Sequence, residues 1–423
     1  RDIGVTGVQT CALPIYGENW APGTSSFKYP NDQRATTLWY HDHTLGMTRV
    51  NVYAGPAGFY LIRGGVDDMV KTIDPDSGNT VDAVLPGPAP GVDADPFGTY
   101  YEIPIAIQDR SFNADGSLFY PDNRAFFEGL YPNELDIPFS PDPTEGGLPS
   151  DVAPIWQPEF FGNMMVVNGF TWPFLDVEQR RYRLRLLNGC NSRFLILDFN
   201  GIPGAEVWQI GAEGGFLASP VPLTQILMAP AERADVIIDF TYVPVGEYVL
   251  ANLGPDEPYG GGEIGVDFDA ADPASTGQVM QFRVTGPAVT ADTTTPPQFL
   301  QLPAIQQLVP TSSRMVSLNE EESKTVSIDE VPAGIVYNPI SDIPFGPTSA
   351  LLGTVIQMTD PVTNEPIGVG NPLMWSDNIT ENPMVGAVET WEIFNSTADP
   401  PPLHFHLVQF QLRYRASMDR VRL

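Results

Sequence analysis

All four histidines of this 423-residue chain stand in two pairs of the same form. One is His41-Asp-His43, within Leu-Trp-Tyr-His-Asp-His-Thr-Leu-Gly. The other is His404-Phe-His406, within Pro-Leu-His-Phe-His-Leu-Val. Four histidines scattered over such a length would give far fewer than one pair two residues apart. On a β-strand, residues i and i+2 share a face and lie about 6.6 Å apart along it. That spacing is wide for two imidazoles on one ion. It suits one imidazole on each of two neighbouring ions. Imidazole donors favour zinc, copper, iron and nickel over magnesium or calcium. A set of metal-free surface or core histidines is the plainer alternative, and a repeated pair argues against it. Neither pair has the His-Glu-x-x-His spacing of a helical zinc protease. No Gly-x-Ser-x-Gly elbow, dinucleotide-binding Gly-x-Gly-x-x-Gly or P-loop accompanies them.

The elements that must position these residues read as β-strands. Thr36–Tyr40 runs into the first pair, and Ala57–Ile62 is a second β-rich stretch. Further strands are expected at 101–108, 164–168, 181–188, 194–199, 234–240, 248–251, 279–284 and 390–394. A last one is expected over Leu403–Leu412, carrying the second pair. Helical periodicity is scarce. Short strands bounded by Gly, Pro and Asn, without helical spacers, predict sandwiches or barrels. Gly and Pro number 39 and 43, enough for many turns yet short of a low-complexity composition.

Three all-β units in series are expected. Residues 16–66 form the end of a first, 99–286 a second, and 313–423 the beginning of a third. Linkers cover 67–98 and 287–312. Residues 1–15 read as non-native sequence resembling translated sequencing-adapter text, which sets Cys11 aside. The arginines at 413, 415, 420 and 422 crowd the far end of an otherwise acidic chain, which an ordinary polar terminus would explain as well as a change of frame or a truncation would. Asp74-Pro-Asp-Ser-Gly-Asn79 could offer carboxylates to calcium, but its spacing is that of a plain turn. Asn378-Ile-Thr380 and Asn395-Ser-Thr397 match the glycosylation pattern and weigh little by themselves.

Composition narrows the classes. A net charge of −31 leaves no basic footprint for nucleic acid, and reads as a solvated acidic surface. Two cysteines exclude a disulfide scaffold and a cysteine-rich zinc domain. No apolar run approaches the roughly 18 residues of a membrane span.

At this point the sequence resembles the multicopper oxidases, in particular the branch of bacterial spore-coat laccases and bilirubin oxidases. The stretch from Trp39-Tyr-His-Asp-His to Ala57-Gly58 is similar to a copper-binding segment of that branch. Gln108-Asp-Arg-Ser-Phe-Asn to Pro121 resembles its middle-domain opening. So do Val167-Asn-Gly169 to Asn188-Gly-Cys-Asn-Ser-Arg193, and Gln209-Ile-Gly211 to Ala229-Pro-Ala-Glu-Arg-Ala-Asp-Val236. Glu389-Thr-Trp-Glu-Ile and Leu403-His-Phe-His-Leu-Val-Gln-Phe410 complete the match.

The resemblance implies a tandem of three cupredoxin-like Greek-key β-sandwiches, the first and third incomplete. It implies copper: a mononuclear blue site and a trinuclear cluster. His41 and His43 would each bind one copper of the type 3 pair, His404 the type 2 copper, and His406 a type 3 copper. Small-molecule reductants (phenols, tetrapyrroles or metal ions) and dioxygen would be the partners, with neither nucleic acid nor membrane. The protein would be a monomer, secreted, periplasmic or at the cell or spore surface.

The departures are specific. The family's upstream His-x-His and downstream His-Cys-His are absent from this chain, so the type 1 ligands are missing. Pro401 stands where the third segment has a blue-copper histidine, one base change away. Cys190 lies in the middle unit and reads as a buried small hydrophobe. The chain as written is therefore expected to be inactive as an oxidase. A copper-free cupredoxin tandem with a structural or cell-division role is the rival, favoured by Pro401. A nitrite-reductase-like copper protein fits the middle signatures less well.

Overall fold

Alternation in Arg181-Tyr-Arg-Leu-Arg-Leu-Leu-Asn188 already sorts two faces. In a strand, odd and even residues point to opposite sides. Tyr182, Leu184 and Leu186 face a fully apolar core, and Leu184 and Leu186 are completely buried there. Arg181, Arg183 and Arg185 face the other way. This strand is central in a sheet that runs in the order Gly215–Leu223, Glu206–Ala212, Arg233–Asp239, Arg181–Asn188, Glu102–Phe112, Met164–Val167, Phe170–Thr171. A five-stranded sheet lies across the core, in the order Gln225–Met228, Leu195–Asp198, Gly246–Asn252, Gln278–Pro287, Phe174–Gln179. Each sheet holds one parallel pairing: Arg181–Asn188 with Glu102–Phe112, and Gln278–Pro287 with Phe174–Gln179. Ile105, Leu197, Val236, Phe240, Leu250 and Phe282 fill the space between them. Each such side chain stabilises the sandwich by about 1.5–3 kcal/mol relative to exposure.

The computed structural model describes, with short breaks, residues 29–121, 159–323 and 327–416. The expectation for residues 1–15 lies outside them, as do Arg420 and Arg422. The chain divides into two compact units. One comprises Arg1–Leu118, Phe161–Gln306 and Pro402–Phe410, and the other Phe119–Phe160, Gln307–Pro401 and Gln411–Leu423.

The first unit carries the sandwich and, on the arginine face of its larger sheet, a two-stranded ribbon. Strands β1 (Thr36–His41) and β2 (Ala57–Ile62) pair antiparallel, with Thr36 opposite Ile62 and His41 opposite Ala57. Between them lies one short helix, α1 (Thr48–Ala54). Its seven residues span too few turns for a hydrophobic period to show in sequence. A second, smaller apolar cluster of Val70, Ile210, Phe216, Ile237 and Leu300 seals the same face.

The stretch 67–98, expected as a linker, holds a small hairpin: Lys71–Ile73 pairs with Thr80–Asp82. Its turn is built by Asp74, whose Oδ1 accepts from Asp76 N, Ser77 N and Ser77 Oγ. The carboxylate is thus spent on its own loop, as a plain turn requires.

In the second unit, Pro366–Pro372, Ser349–Thr359, Ser312–Glu321 and Glu389–Asn395 form a four-stranded sheet in that order. Arg314 pairs with Glu389 across the parallel edge at 3.1 Å. Gly334–Tyr337, Ser327–Val331 and Ile343–Pro344 form a separate small sheet.

Most expected strands form within a few residues of their predicted ends. Leu403–Leu412 does not. Its described residues are irregular, and His404, His406, Val408, Phe410 and Leu412 are exposed. Alternation alone does not make a strand. A strand also needs a ladder partner, and this segment finds none among the described residues.

Candidate metal site

β1 carries the first histidine pair to its position. Thr36-Thr-Leu-Trp-Tyr-His is rich in β-branched and aromatic residues, and its first two residues are almost fully buried. Burial demands partners for their polar atoms. Thr36 Oγ1 donates to Glu213 O at 2.7 Å, and Thr37 Oγ1 accepts from Arg185 Nη1 at 2.9 Å. His41 is the last residue of β1, and His43 lies beyond it.

Asp42, between the two histidines, organises the exit from the strand. One carboxylate oxygen accepts from Thr44 N and Asn51 Nδ2, both at 3.0 Å. The other accepts from Thr44 Oγ1 at 2.8 Å. These bonds, the Thr44 N–H above all, hold the Asp42 carboxyl below its usual range. Asn51 belongs to α1, so the loop is tied to a helix. The helix is tied in turn to the sheet: Tyr53 is buried, and its hydroxyl accepts from Ser111 N at 2.8 Å.

His41 is half-buried, with the Trp39 ring centroid 4.5 Å from its own. Its Nδ1 lies 2.6 Å from the backbone oxygen of Asp42. A carbonyl can only accept, so Nδ1 carries the proton and the neutral ring keeps its lone pair on Nε2. This is the arrangement by which a metal-binding histidine is oriented from behind.

The second pair meets the first within the same unit. The ring centroids of His43 and His406 are 4.7 Å apart, those of His404 and His406 5.1 Å, and those of His41 and His406 6.4 Å. His41 and His43 are 5.7 Å apart. His406 is therefore central, flanked by all three others. Two imidazoles bound tetrahedrally to one ion at about 2.0 Å would have centroids about 5 Å apart. The observed separations bracket that value. No three His, Cys, Asp or Glu side chains converge on a single point among the described residues. The arrangement is a chain of imidazole pairs, and the closest pair crosses between the two motifs. The strand spacing expected within each motif is not what sets it, because only His41 stands on a strand.

The electrostatics favour neutral rings. Burial, followed by His406, Arg233 and the other two histidines, lowers His404 to about 4. Burial, then His43 and His41, lowers His406. Burial also lowers His41, against the opposing bond to the Asp42 carbonyl. His404 and His406 are nonetheless largely solvent-accessible. Neutral imidazoles gathered from opposite ends of the chain are a donor set that fits copper.

Cys190 is no part of this site. It is buried in the core, where desolvation pushes its thiol well up. Asp42, Arg185 and Arg233 were not singled out as site residues from the sequence. Asp42-His-Thr44 does carry the Asx-turn pattern that could have marked the first. The arginines needed the sheet register.

No family model matches the chain. Its sequence relatives are informative. It is 34% identical over 394 residues to a laccase of Bacillus stratosphericus, covering 93% of this chain and 59% of that protein. It is 33% identical over 397 residues to a laccase of Bacillus subtilis strain 168, covering 94% and 59%. It is 30% identical over 401 residues to the multicopper oxidase LPR1 of Arabidopsis thaliana, covering 94% and 52%. The chain thus spans between half and three-fifths of the length of these relatives. Among solved structures, the McoA multicopper oxidase of Aquifex aeolicus aligns at 25% identity and a TM-score of 0.45, over 68% of this chain and 49% of that one.

The chain, mostly β in its described residues and with its histidines in two pairs, belongs by this sequence likeness to the multicopper oxidase family. Within that family it falls on the branch that holds the Bacillus laccases.

Proposed function

We propose that this chain supplies part of the copper centre of a laccase-type oxidase. The whole protein would take electrons singly from phenolic, tetrapyrrole or metal-ion reductants and reduce dioxygen to water. The observation that carries the reading is His406, whose ring lies among those of His43, His404 and His41. Copper, when bound, supplies the one-electron steps between reductant and dioxygen. His41 and His43 would hold the two type 3 ions, His404 the type 2 ion, and His406 a type 3 ion. The chain's own contribution is orientation. The Asp42 carbonyl fixes the His41 tautomer, and the Asp42 carboxylate fixes the loop. Trp39 covers one side of the His41 ring.

The division into cupredoxin domains at 16–66, 99–286 and 313–423 belongs to the same proposal, as does a monomeric state. Among the described residues no helix is long and apolar enough to cross a membrane. A secreted, periplasmic or surface location follows from the family reading. The copper-free structural relative remains the second reading because Pro401 replaces a ligand of the blue site.

The test is copper itself. The purified chain titrated with Cu(II) is expected to take up metal with a type 2 electron paramagnetic resonance signal, and His406→Ala is expected to weaken uptake at least tenfold. Equal uptake by the unmodified chain and a variant lacking all four histidines would overturn the assignment. With Pro401 in place and no His-Cys-His, the chain is expected to oxidise no phenol.

A further inference from the structure

A two-stranded ribbon is marginal in water, so β1 and β2 need support from elsewhere. The support comes from the polar face of the larger sheet. Arg181–Asn188 and Arg233–Asp239 pair antiparallel, with Arg185 opposite Asp235 and Leu187 opposite Arg233. Arg183, Arg185, Arg233 and Asp235 therefore share one face. Arg185 and Arg233 both reach Thr37. Arg185 Nη1 donates to Thr37 Oγ1 at 2.9 Å, and Arg233 Nε donates to Thr37 O at 3.1 Å. One residue of β1 is thus gripped through its side chain and its main chain together.

The neighbouring contacts point the same way. Thr36 Oγ1 donates to Glu213 O, and a Glu213 carboxylate oxygen accepts from Arg233 N at 2.7 Å. Gly215 sits under Ala35 at φ +101°, where a Cβ would come within 2.6 Å of Ala35 O. Thr37, Trp39 and His41 lie on one face of β1. A slip of one residue would turn His41 to the opposite face. Arg233 is also close enough to His404 for its charge to act on that ring.

We propose that Arg185 and Arg233 are positioning residues of the histidine site: by holding Thr37 they set the register of β1, and with it the face that His41 presents and the approach of His43 to His406. This rests on the reading of the four imidazoles as copper donors.

The chain has four histidines, so imidazole-¹⁵N labelling of the metal-free protein gives a spectrum of four side chains. Thr37→Val keeps shape and removes the Arg185 acceptor. Arg233→Lys keeps charge and removes the Nε donor. Both variants are expected to fold with the parent circular dichroism, to move the His41 and His43 resonances, and to weaken Cu(II) binding at least fivefold. Arg181→Lys, on the same strand but bonded to Asp239 and Thr294, is expected to leave all four resonances in place. Unchanged histidine resonances in both Thr37→Val and Arg233→Lys would overturn the proposal. So would equal movement in Arg181→Lys, which would mark a general loosening. If the unmodified chain binds no Cu(II), the copper reading fails by itself, and the metal-free spectra still decide whether the two arginines position the histidines.

Discussion

The first unit holds two polar regions built on opposite terms. On the sheet face, Glu102, Asp235, Arg183 and Arg185 are almost wholly buried and bonded to one another. Arg183 meets both oxygens of Asp235 at 2.9 and 2.6 Å. Arg185 meets Glu102 and Asp235, both at 2.8 Å. Arg63 closes the lattice on Glu102 from β2's end, with two bonds of 3.0 and 2.9 Å. In the histidine region the rings are half-buried or exposed, stand on an irregular segment and a strand end, and keep lone pairs that no partner consumes among the described residues. The lattice spends its bonding capacity internally. The proposed metal site would reserve its own for a ligand. Removing a member of the first should cost stability, and removing a member of the second should cost binding.

The largest expected effect is on the lattice. Asp235→Ala leaves two buried guanidinium groups without their shared carboxylate, and is expected to destabilise the chain by about 3–5 kcal/mol in urea unfolding. A loss below about 1 kcal/mol would mean that water replaces the carboxylate, and the contrast would weaken.

Next comes the reverse case. His43→Ala is expected to leave the unfolding midpoint within about 0.5 kcal/mol, as accessible positions usually do, while weakening Cu(II) uptake at least tenfold. A comparable loss of stability would make the histidines part of the fold.

A smaller effect belongs to pH. The folded-state value of His404, about 4, lies below the ordinary 6.5 of an unfolded chain. The unfolded state therefore binds more protons between these values. The metal-free chain is expected to lose stability as pH falls from about 6.5 through about 4. His404→Gln should flatten that limb, and the effect is reduced by the ring's exposure to solvent. A His404 resonance titrating near 6.5 would remove this effect.

In the second unit the sign is reversed, and a different group sets it. Burial, then Asp399 and Glu320, raises Glu159 to about 7 from 4.5. The folded state then holds the extra proton, and stability falls as pH rises between those values. Glu159→Gln should remove that slope, and an unchanged slope would place the charge repulsion elsewhere.

What could be read from the sequence divides along the same line. Arg181–Asn188 is written in its alternation, and both histidine pairs are plain in their spacing. The partnership of Arg185 with Thr37 could not be read, because it depends on which strands lie side by side. The irregular course of Leu403–His406 was hidden for a related reason: the local pattern says strand, and only the absence of a ladder partner among the described residues says otherwise. The helix α1 was too short to show a period. Asp42 was legible in principle as an Asx turn, yet two adjacent histidines draw the eye to metal before they draw it to the loop.

Pro402–Phe410 joins the unit that also contains β1 and the sandwich, and this has a consequence for synthesis. A ribosome adding 5–20 residues per second needs roughly 20–70 s to travel from His43 to His404. Through that interval the ribbon and the sandwich can already be assembled, with one histidine pair waiting for the other. The four imidazoles can come together only after the sandwich encoded between them has been made, so the order of assembly is written into the order of the chain.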